Sequence, residues 1–166
     1  MQINSQTDPA ALIERIVRDA SQRPGAIDAW RSFLQAHATL MRRLGVDLAQ
    51  SIGLSLGDFD VLAQLGVAGG ELRMSELAAR ALSSRSGMTR RVARLVDEGL
   101  VTRTSDEADA RGVVVALTEA GIARLAEAAP VHLQGVVELF VSQLTDEELA
   151  LLKSALDKVT LDSSFG

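Results

Sequence analysis

A basic segment between positions 83 and 94 carries the residue types that bind phosphate and read base edges in DNA. It contains no acidic residue and four arginines: Arg85, Arg90, Arg91 and Arg94. Arginine pairs bidentately with guanine, while serine and threonine hydroxyls reach phosphates or bases. The segment offers such hydroxyls at Ser84, Ser86 and Thr89. Because charged helix faces are often only solvated, the segment by itself leaves DNA binding and a plain polar surface both open.

The basic segment is predicted to form the second helix of a helix-turn-helix. A short helix over 76–82 precedes it, Ser83-Ser84 forms the turn, and Gly99 ends the second helix. At about 100° per residue, one face collects the apolar side chains of Met88, Val92, Leu95 and Val96. The other face carries Ser86, Thr89, Arg90, Ala93 and Arg94. Arg85 lies at the N-terminal tip, where the helix itself attracts phosphate.

Two predicted strands, 100–104 and 113–117, follow this helix and form the only hairpin in the sequence. A helix-turn-helix followed by a hairpin is a winged helix-turn-helix. Arg111 belongs to the polar loop of the hairpin, from which it can reach the minor groove, whose negative potential attracts arginine. Asp109 is close enough in sequence to orient that guanidinium by a bidentate pair. The alternative is an exposed loop pair that contributes little.

Amphipathic helices are predicted on both sides of the winged segment. A long helix over 27–50 is indicated by residues spaced three or four apart: Ile27, Trp30, Leu34, His37, Met41, Leu44 and Leu48. An apolar stripe of this length is expected to pack against an extended partner surface, such as that of a second subunit. A shorter helix is predicted over 9–20, and Thr145 with Glu148 forms a capping box at the start of the last helix. The sequence therefore predicts a mainly α fold with one small β-hairpin.

The composition restricts the remaining function classes. The absence of cysteine excludes disulfides, thiolate metal sites and cysteine nucleophiles, and the two histidines are too far apart for a metal motif. No nucleophile–histidine–acid arrangement or glycine-rich phosphate loop is present, so we expect no enzyme and no cofactor. No apolar run approaches the roughly 20 residues of a membrane span, and no signal peptide is recognisable, so we expect a cytoplasmic protein without membrane contact. The net charge of −5 argues against DNA binding unless basic residues concentrate on one surface.

The motifs, in this order and spacing, resemble the MarR family of winged helix-turn-helix transcriptional regulators. The resemblance is carried by Leu56-Gly57-Asp58-Phe59-Asp60-Val61-Leu62, Ser75-Glu76-Leu77-Ala78, Ser86-Gly87-Met88-Thr89-Arg90, Gly99-Leu100-Val101 with Arg103, Asp109-Ala110-Arg111, and Leu117-Thr118-Glu119-Ala120-Gly121. It implies a homodimer that reads a pseudo-palindromic operator in double-stranded DNA. It also implies a repressor that is released by a small, often aromatic, molecule.

The resemblance implies an organisation and a set of roles for this chain. Residues 55–117 would form the DNA-binding domain, 26–54 and 118–166 the dimerisation helices, and 1–25 an N-terminal helical extension. Ser86, Thr89 and Arg90 would face the major groove, and Arg111 would enter the minor groove.

Two positions depart from the family pattern. Arg91 stands where the family usually has an apolar residue, and Ala93 stands where it often has Asp before Arg94. Arg91 therefore contacts either the DNA backbone or an acid in the body of the protein.

An effector site is the least determined feature of the sequence. Trp30 and His37 are about two turns apart in the long helix. Together they could orient an aromatic carboxylate. The alternative is a hydrogen-bonded core histidine. For the whole chain, the alternatives to a DNA-binding regulator are a winged-helix module for protein–protein contact and a ligand-binding module without DNA binding.

Overall fold

The computed structural model of the chain describes residues 8–20, 25–80, 85–105 and 112–161. In chain order the elements are α1 (Pro9–Ala20), α2 (Ala26–Ser51), α3 (Leu56–Val67), β1 (Glu71–Arg73), α4 (Met74–Arg80), α5 (Arg85–Asp97), β2 (Val101–Ser105), β3 (Val113–Leu117), α6 (Glu119–Leu139), a 3-10 turn (Val141–Gln143) and α7 (Asp146–Leu161). The predicted mainly α fold with a small β element is confirmed. No helix in the described ranges is both long and apolar enough to cross a membrane.

The chain divides into two compact units, Met1–Leu40 and Met41–Gly166. In the first unit, α1 and the start of α2 leave large apolar side chains exposed: Leu12, Ile13, Ile16, Trp30, Phe33 and Leu34. In the second unit, the same long helix buries Leu44 and Leu48. The predicted apolar stripe of α2 is therefore buried in the second unit at Leu44 and Leu48.

The second unit is built on one apolar core beneath the winged segment. It is formed by Leu48, Leu54, Phe59, Val61, Leu62, Leu65, Leu72, Leu77, Met88, Val92, Leu95, Val101, Val115 and Ala128. Helices α3, α4 and α5 contribute apolar faces with the helical period to this core. Each strand of the sheet adds one buried apolar side chain: Leu72, Val101 and Val115. The core fixes the orientation of α5, whose other face is left to solvent.

The sheet has three strands in the order β1-β3-β2, all antiparallel. The predicted hairpin pairs Val101 with Leu117 and Ser105 with Val113. A third strand, β1, adds Leu72 opposite Val115. No sequence pattern reveals this pairing, because a three-residue strand has no detectable period and its partner lies more than forty positions away. The chain passes directly from β1 into α4, which begins at Met74.

The junction between α5 and α6 is held by short backbone contacts. Gly99 has a φ of 72°, which ends α5 and turns the chain into β2. The Thr118 hydroxyl donates to the Gly99 carbonyl at 2.7 Å and accepts from the Gly121 amide at 3.0 Å, which caps α6. A Cβ on Gly121 would overlap the carbonyl oxygen of Leu100. The start of α6 therefore lies directly against the turn that ends α5.

Candidate nucleic-acid interface

Helix α5 has one buried face and one solvent face, as the sequence predicted. Met88, Val92 and Leu95 are at most 1% exposed and pack into the core. Ser86, Thr89, Arg90, Ala93 and Arg94 are all exposed. Val96, assigned to the apolar face by the helical period, lies at its edge and is 37% exposed. The helix is therefore fixed from behind and presents hydroxyls and guanidinium groups outward.

A buried carboxylate from α3 lies behind the arginines of α5. Asp58 is 5% exposed, and its Oδ1 accepts a short hydrogen bond from Nη2 of Arg94. Nη1 of Arg91 lies 3.5 Å from the same oxygen. Ser55 donates its hydroxyl hydrogen to Oδ2 of Asp58 at 2.5 Å and accepts from the Asp58 amide at 3.1 Å, which also caps α3. Both carboxylate oxygens of Asp58 are thus engaged inside the protein.

Arg91 contacts an acid in the body of the protein, which was one of the two possibilities left by the sequence. Its guanidinium also packs on Gly57, where any Cβ would overlap it. Arg94 is more exposed than Arg91, at 51% against 24% of the side chain, and lies 3.8 Å from Glu98. The hydrogen bond to Asp58 and its negative charge raise the pKa of Arg94. Arg94 therefore stays charged at the surface.

A pocket of about 280 Å³ opens on this side of α5. Its lining consists of Gly87 and the three arginines Arg90, Arg91 and Arg94. Glycine at position 87 keeps the helix backbone accessible between the long cationic side chains. A pocket lined in this way fits an oxyanion such as a DNA phosphate, because guanidinium groups donate several hydrogen bonds in a planar fork.

The other predicted DNA contacts are placed only in part. Ser84, Asp109 and Arg111 lie outside the described residues. Arg85 is the first residue of α5, as predicted for the tip of the helix, but only its backbone is described. The strands that carry the wing, β2 and β3, are in register and extend to Ser105 and Val113 on either side of the loop. The roles of all these residues in DNA binding remain predictions.

The effector candidates lie on the first half of α2, in the first unit. Trp30 stacks on Phe33 with ring centroids 5.9 Å apart, and Phe33 stacks on His37 at 6.3 Å. The Trp30 side chain is 55% exposed, and His37 is exposed as well. Within the unit the three rings form an exposed aromatic ladder, so His37 is not a core histidine of the single chain. Whether the ladder binds a ligand stays a prediction.

The second histidine packs inside the winged unit. The ring of His132, on α6, lies 4.5 Å from the ring of Phe59 on α3. Its Nδ1 is buried, and no described residue hydrogen-bonds to it. Burial lowers the pKa of His132, and the negative charge of Asp60 opposes this in part. The neutral imidazole is therefore the form that suits this packing.

Asp58 contacts two arginines of the candidate site, although the sequence alone did not point to it as a site residue. Position 58 looks like an ordinary acid in the first turn of a helix, where the helix dipole favours negative charge. The sequence feature that points to Asp58 is Arg91, because the family that this sequence resembles usually has an apolar residue at that position. A cation there needs an internal partner, and Asp58 supplies it.

Comparisons with known proteins match this architecture. A family model for the MarR family covers residues 52–112. AbsC, a MarR family transcriptional regulator from Streptomyces coelicolor, is 31% identical over 86% of this chain and 96% of its own, with a TM-score of 0.77. Sco3205, a MarR family transcriptional regulator from the same organism solved in complex with DNA, is 30% identical over 84% of this chain and 89% of its own, with a TM-score of 0.77.

A third structure shares the fold at lower identity. It is the organohalide-sensing transcriptional regulator RdhR-CbdbA1625 in its 2,4-dichlorophenol-bound form, 24% identical over 83% of this chain and 85% of its own, with a TM-score of 0.68. No curated protein sequence gives a significant match.

Proposed function

Because this chain belongs to the MarR family of transcriptional regulators, we propose that it binds double-stranded DNA through α5 as a homodimer on a pseudo-palindromic operator. The observation that carries the proposal is the division of α5 into a buried face and an exposed face with Ser86, Thr89 and Arg90. Such a helix, fixed from behind and cationic in front, fits the major groove. The relative Sco3205 was solved in complex with DNA, which supports DNA binding by this chain.

The remaining contacts in this proposal lie around α5 and in the wing. Ser84 and Arg85 bind the DNA at the N-terminal end of α5, and Arg94 adds a positive charge further along the same face. Arg111 enters the minor groove from the wing, and Asp109 orients its guanidinium. Contacts to phosphate set the register of the protein on DNA, while contacts to base edges select the sequence.

The homodimer in this proposal is formed by residues 26–54 and 118–166, with 55–117 as the DNA-binding domain and 1–25 as an extension. Exposed apolar side chains on α6 and α7 support it, since Leu133 is 60% and Leu151 71% exposed in the single chain. A two-fold dimer presents two copies of α5 to two half-sites, which explains the expected palindrome.

The proposed regulator is a cytoplasmic repressor that a small aromatic molecule releases from DNA, and it acts without catalysis or a cofactor. Trp30 and His37 are the proposed effector contacts, because the ladder they form with Phe33 is exposed and π-rich. The phenol-bound state of the structural neighbour RdhR-CbdbA1625 supports a search among aromatic compounds. Calorimetric measurement of ligand binding, with and without operator DNA, tests the effector proposal separately from DNA binding.

The test of DNA binding is a gel shift of the purified protein on its own promoter region at low and moderate salt. We expect a discrete shift that resists non-specific competitor and weakens with salt, because phosphate contacts release counterions. Arg90→Ala should weaken the shift, whereas Arg15→Ala, an equal loss of charge from an exposed residue of α1, should not. The net charge of −5 favours the second candidate, a protein-contact module; absence of any shift, also with random duplexes, would support that candidate.

A further inference from the structure

Asp58 is the only buried charged residue among those that the structure describes. We propose that Asp58 is a positioning residue that raises the sequence specificity of DNA binding by holding the guanidinium groups of Arg91 and Arg94. The inference rests on the proposed function, because it concerns how α5 meets DNA. Asp58 itself is not proposed to contact DNA. Its proposed role is to influence which DNA sequences the contacting residues of α5 recognise.

The hold on the two arginines follows from the burial of the carboxylate. Oδ1 of Asp58 accepts from Arg94 and lies 3.5 Å from Arg91, while Oδ2 accepts from Ser55. If the arginines moved away towards DNA phosphates, a desolvated carboxylate would lose most of its compensating charge, which is strongly unfavourable. The two guanidinium groups are therefore kept against α3 when DNA approaches.

Restraint of an arginine changes what it contributes to recognition. A mobile guanidinium finds a phosphate on any sequence and so strengthens non-specific binding. Arg94 keeps about half of its side chain exposed and has donors that Asp58 does not use. These donors are presented from one position, so they favour DNA that matches this geometry.

The restraint of Arg91 also depends on Gly57. The guanidinium of Arg91 occupies the space that a Cβ at position 57 would take, and this places it beside Asp58. Arg91, the residue that departs from the family pattern, is thus accommodated by contacts with Gly57 and Asp58. Gly57→Ala displaces Arg91 without changing any charge, since the far end of a flexible side chain can move away.

The experiment measures binding to an operator duplex and to a scrambled duplex of the same composition over a range of salt concentrations. The variants are Asp58→Asn, Asp58→Glu and Gly57→Ala. Glu14→Gln on α1 is the charge-matched control, because it removes an equal charge from an exposed side chain outside the proposed DNA-binding and dimerisation segments. Circular dichroism and thermal unfolding establish that each variant is folded.

For Asp58→Asn we expect tighter binding to the scrambled duplex and a salt slope steeper by about 0.9 for each arginine released. The ratio of operator to scrambled affinity should fall about tenfold, the size of one lost base-pair contact. Gly57→Ala should shift slope and ratio in the same direction to a smaller extent, and Asp58→Glu should restore both in part. The control should leave the ratio unchanged.

The inference is overturned if folded Asp58→Asn keeps the wild-type ratio and slope. It is also overturned if operator and scrambled affinities fall together, since that result indicates a purely structural role. Nitrogen-15 NMR of the arginine side chains gives a readout without DNA: the guanidinium of Arg94 should rotate slowly in the wild type and freely in Asp58→Asn. Wild-type protein that binds no DNA refutes the proposed function itself, which separates that failure from failure of the Asp58 role.

Discussion

Replacing Gly121 by alanine tests how tightly α6 is joined to the end of α5. Inside a helix, alanine is favoured over glycine by about 1 kcal/mol, so helix propensity alone predicts a more stable protein. The structure predicts the opposite, because the new Cβ would overlap the carbonyl oxygen of Leu100. This oxygen belongs to the backbone and cannot rotate away as a side chain would.

The expected magnitude follows from what the carbonyl of Leu100 does. It accepts hydrogen bonds at 3.1 Å from both the amide and the hydroxyl of Thr118. Overpacking costs about 1–3 kcal/mol, and each weakened hydrogen bond adds up to about 1 kcal/mol. After subtracting the gain in propensity, the free energy of unfolding should fall by about 2 kcal/mol. For a chain of this size, that lowers Tm by about 4–8 °C.

Urea unfolding followed by far-UV circular dichroism, at one fixed protein concentration, measures this change. Gly45→Ala is the matched control, because position 45 lies inside α2 and its new Cβ would lie 3.6 Å from that of Leu56, an ordinary van der Waals contact. That variant should be more stable by up to about 1 kcal/mol. If Gly121→Ala is as stable as Gly45→Ala, the close approach of α6 to Leu100 is not present in solution and the reasoning fails.

Three further predictions concern DNA binding, assembly and pH. Arg90→Ala should weaken operator binding by about 1–3 kcal/mol and relax base preference at one position per half-site, measured by competition with single-base operator variants; uniform weakening on all sequences would identify Arg90 as a phosphate contact instead. Leu133→Arg places a charge on an exposed apolar site of α6 and should shift the protein from dimer to monomer in light scattering, whereas a variant that remains a dimer would place the interface elsewhere. Because burial lowers the pKa of His132 in the folded state, the unfolded state binds the extra proton, so stability should fall as pH drops below about 6.5. His132→Gln should reduce this dependence between pH 7.5 and 5.5, and an unchanged dependence would assign it to other groups.

The buried face of α5 could be read from the sequence because helical period relates residues that are near neighbours in the chain. Met88, Val92 and Leu95 are buried as predicted. The period does not define where the face ends, and Val96 is more exposed than expected. The edge of an apolar face depends on how far the neighbouring elements reach over it, which is a property of the tertiary packing.

Only two strands of the small sheet could be predicted from the sequence. Strands β2 and β3 lie close together in the chain and contain β-branched residues, so both were recognisable. Strand β1 has three residues, and it is a strand only because Leu72 pairs with Val115. Its pairing is a long-range contact that no local pattern encodes.

The sequence by itself determined the mainly α class with its small hairpin, the position of α5, and the exposure of Arg90 and Arg94 on it, because all of these depend on local period and motif spacing. Only the tertiary structure decided that Arg91 and Arg94 contact the buried carboxylate of Asp58. Arg94 and Asp58 are 36 positions apart in the chain and form a hydrogen-bonded pair only because α3 packs against α5. Ion pairs of this kind depend on distances of a few ångströms between distant segments, and those distances are set by the shared core.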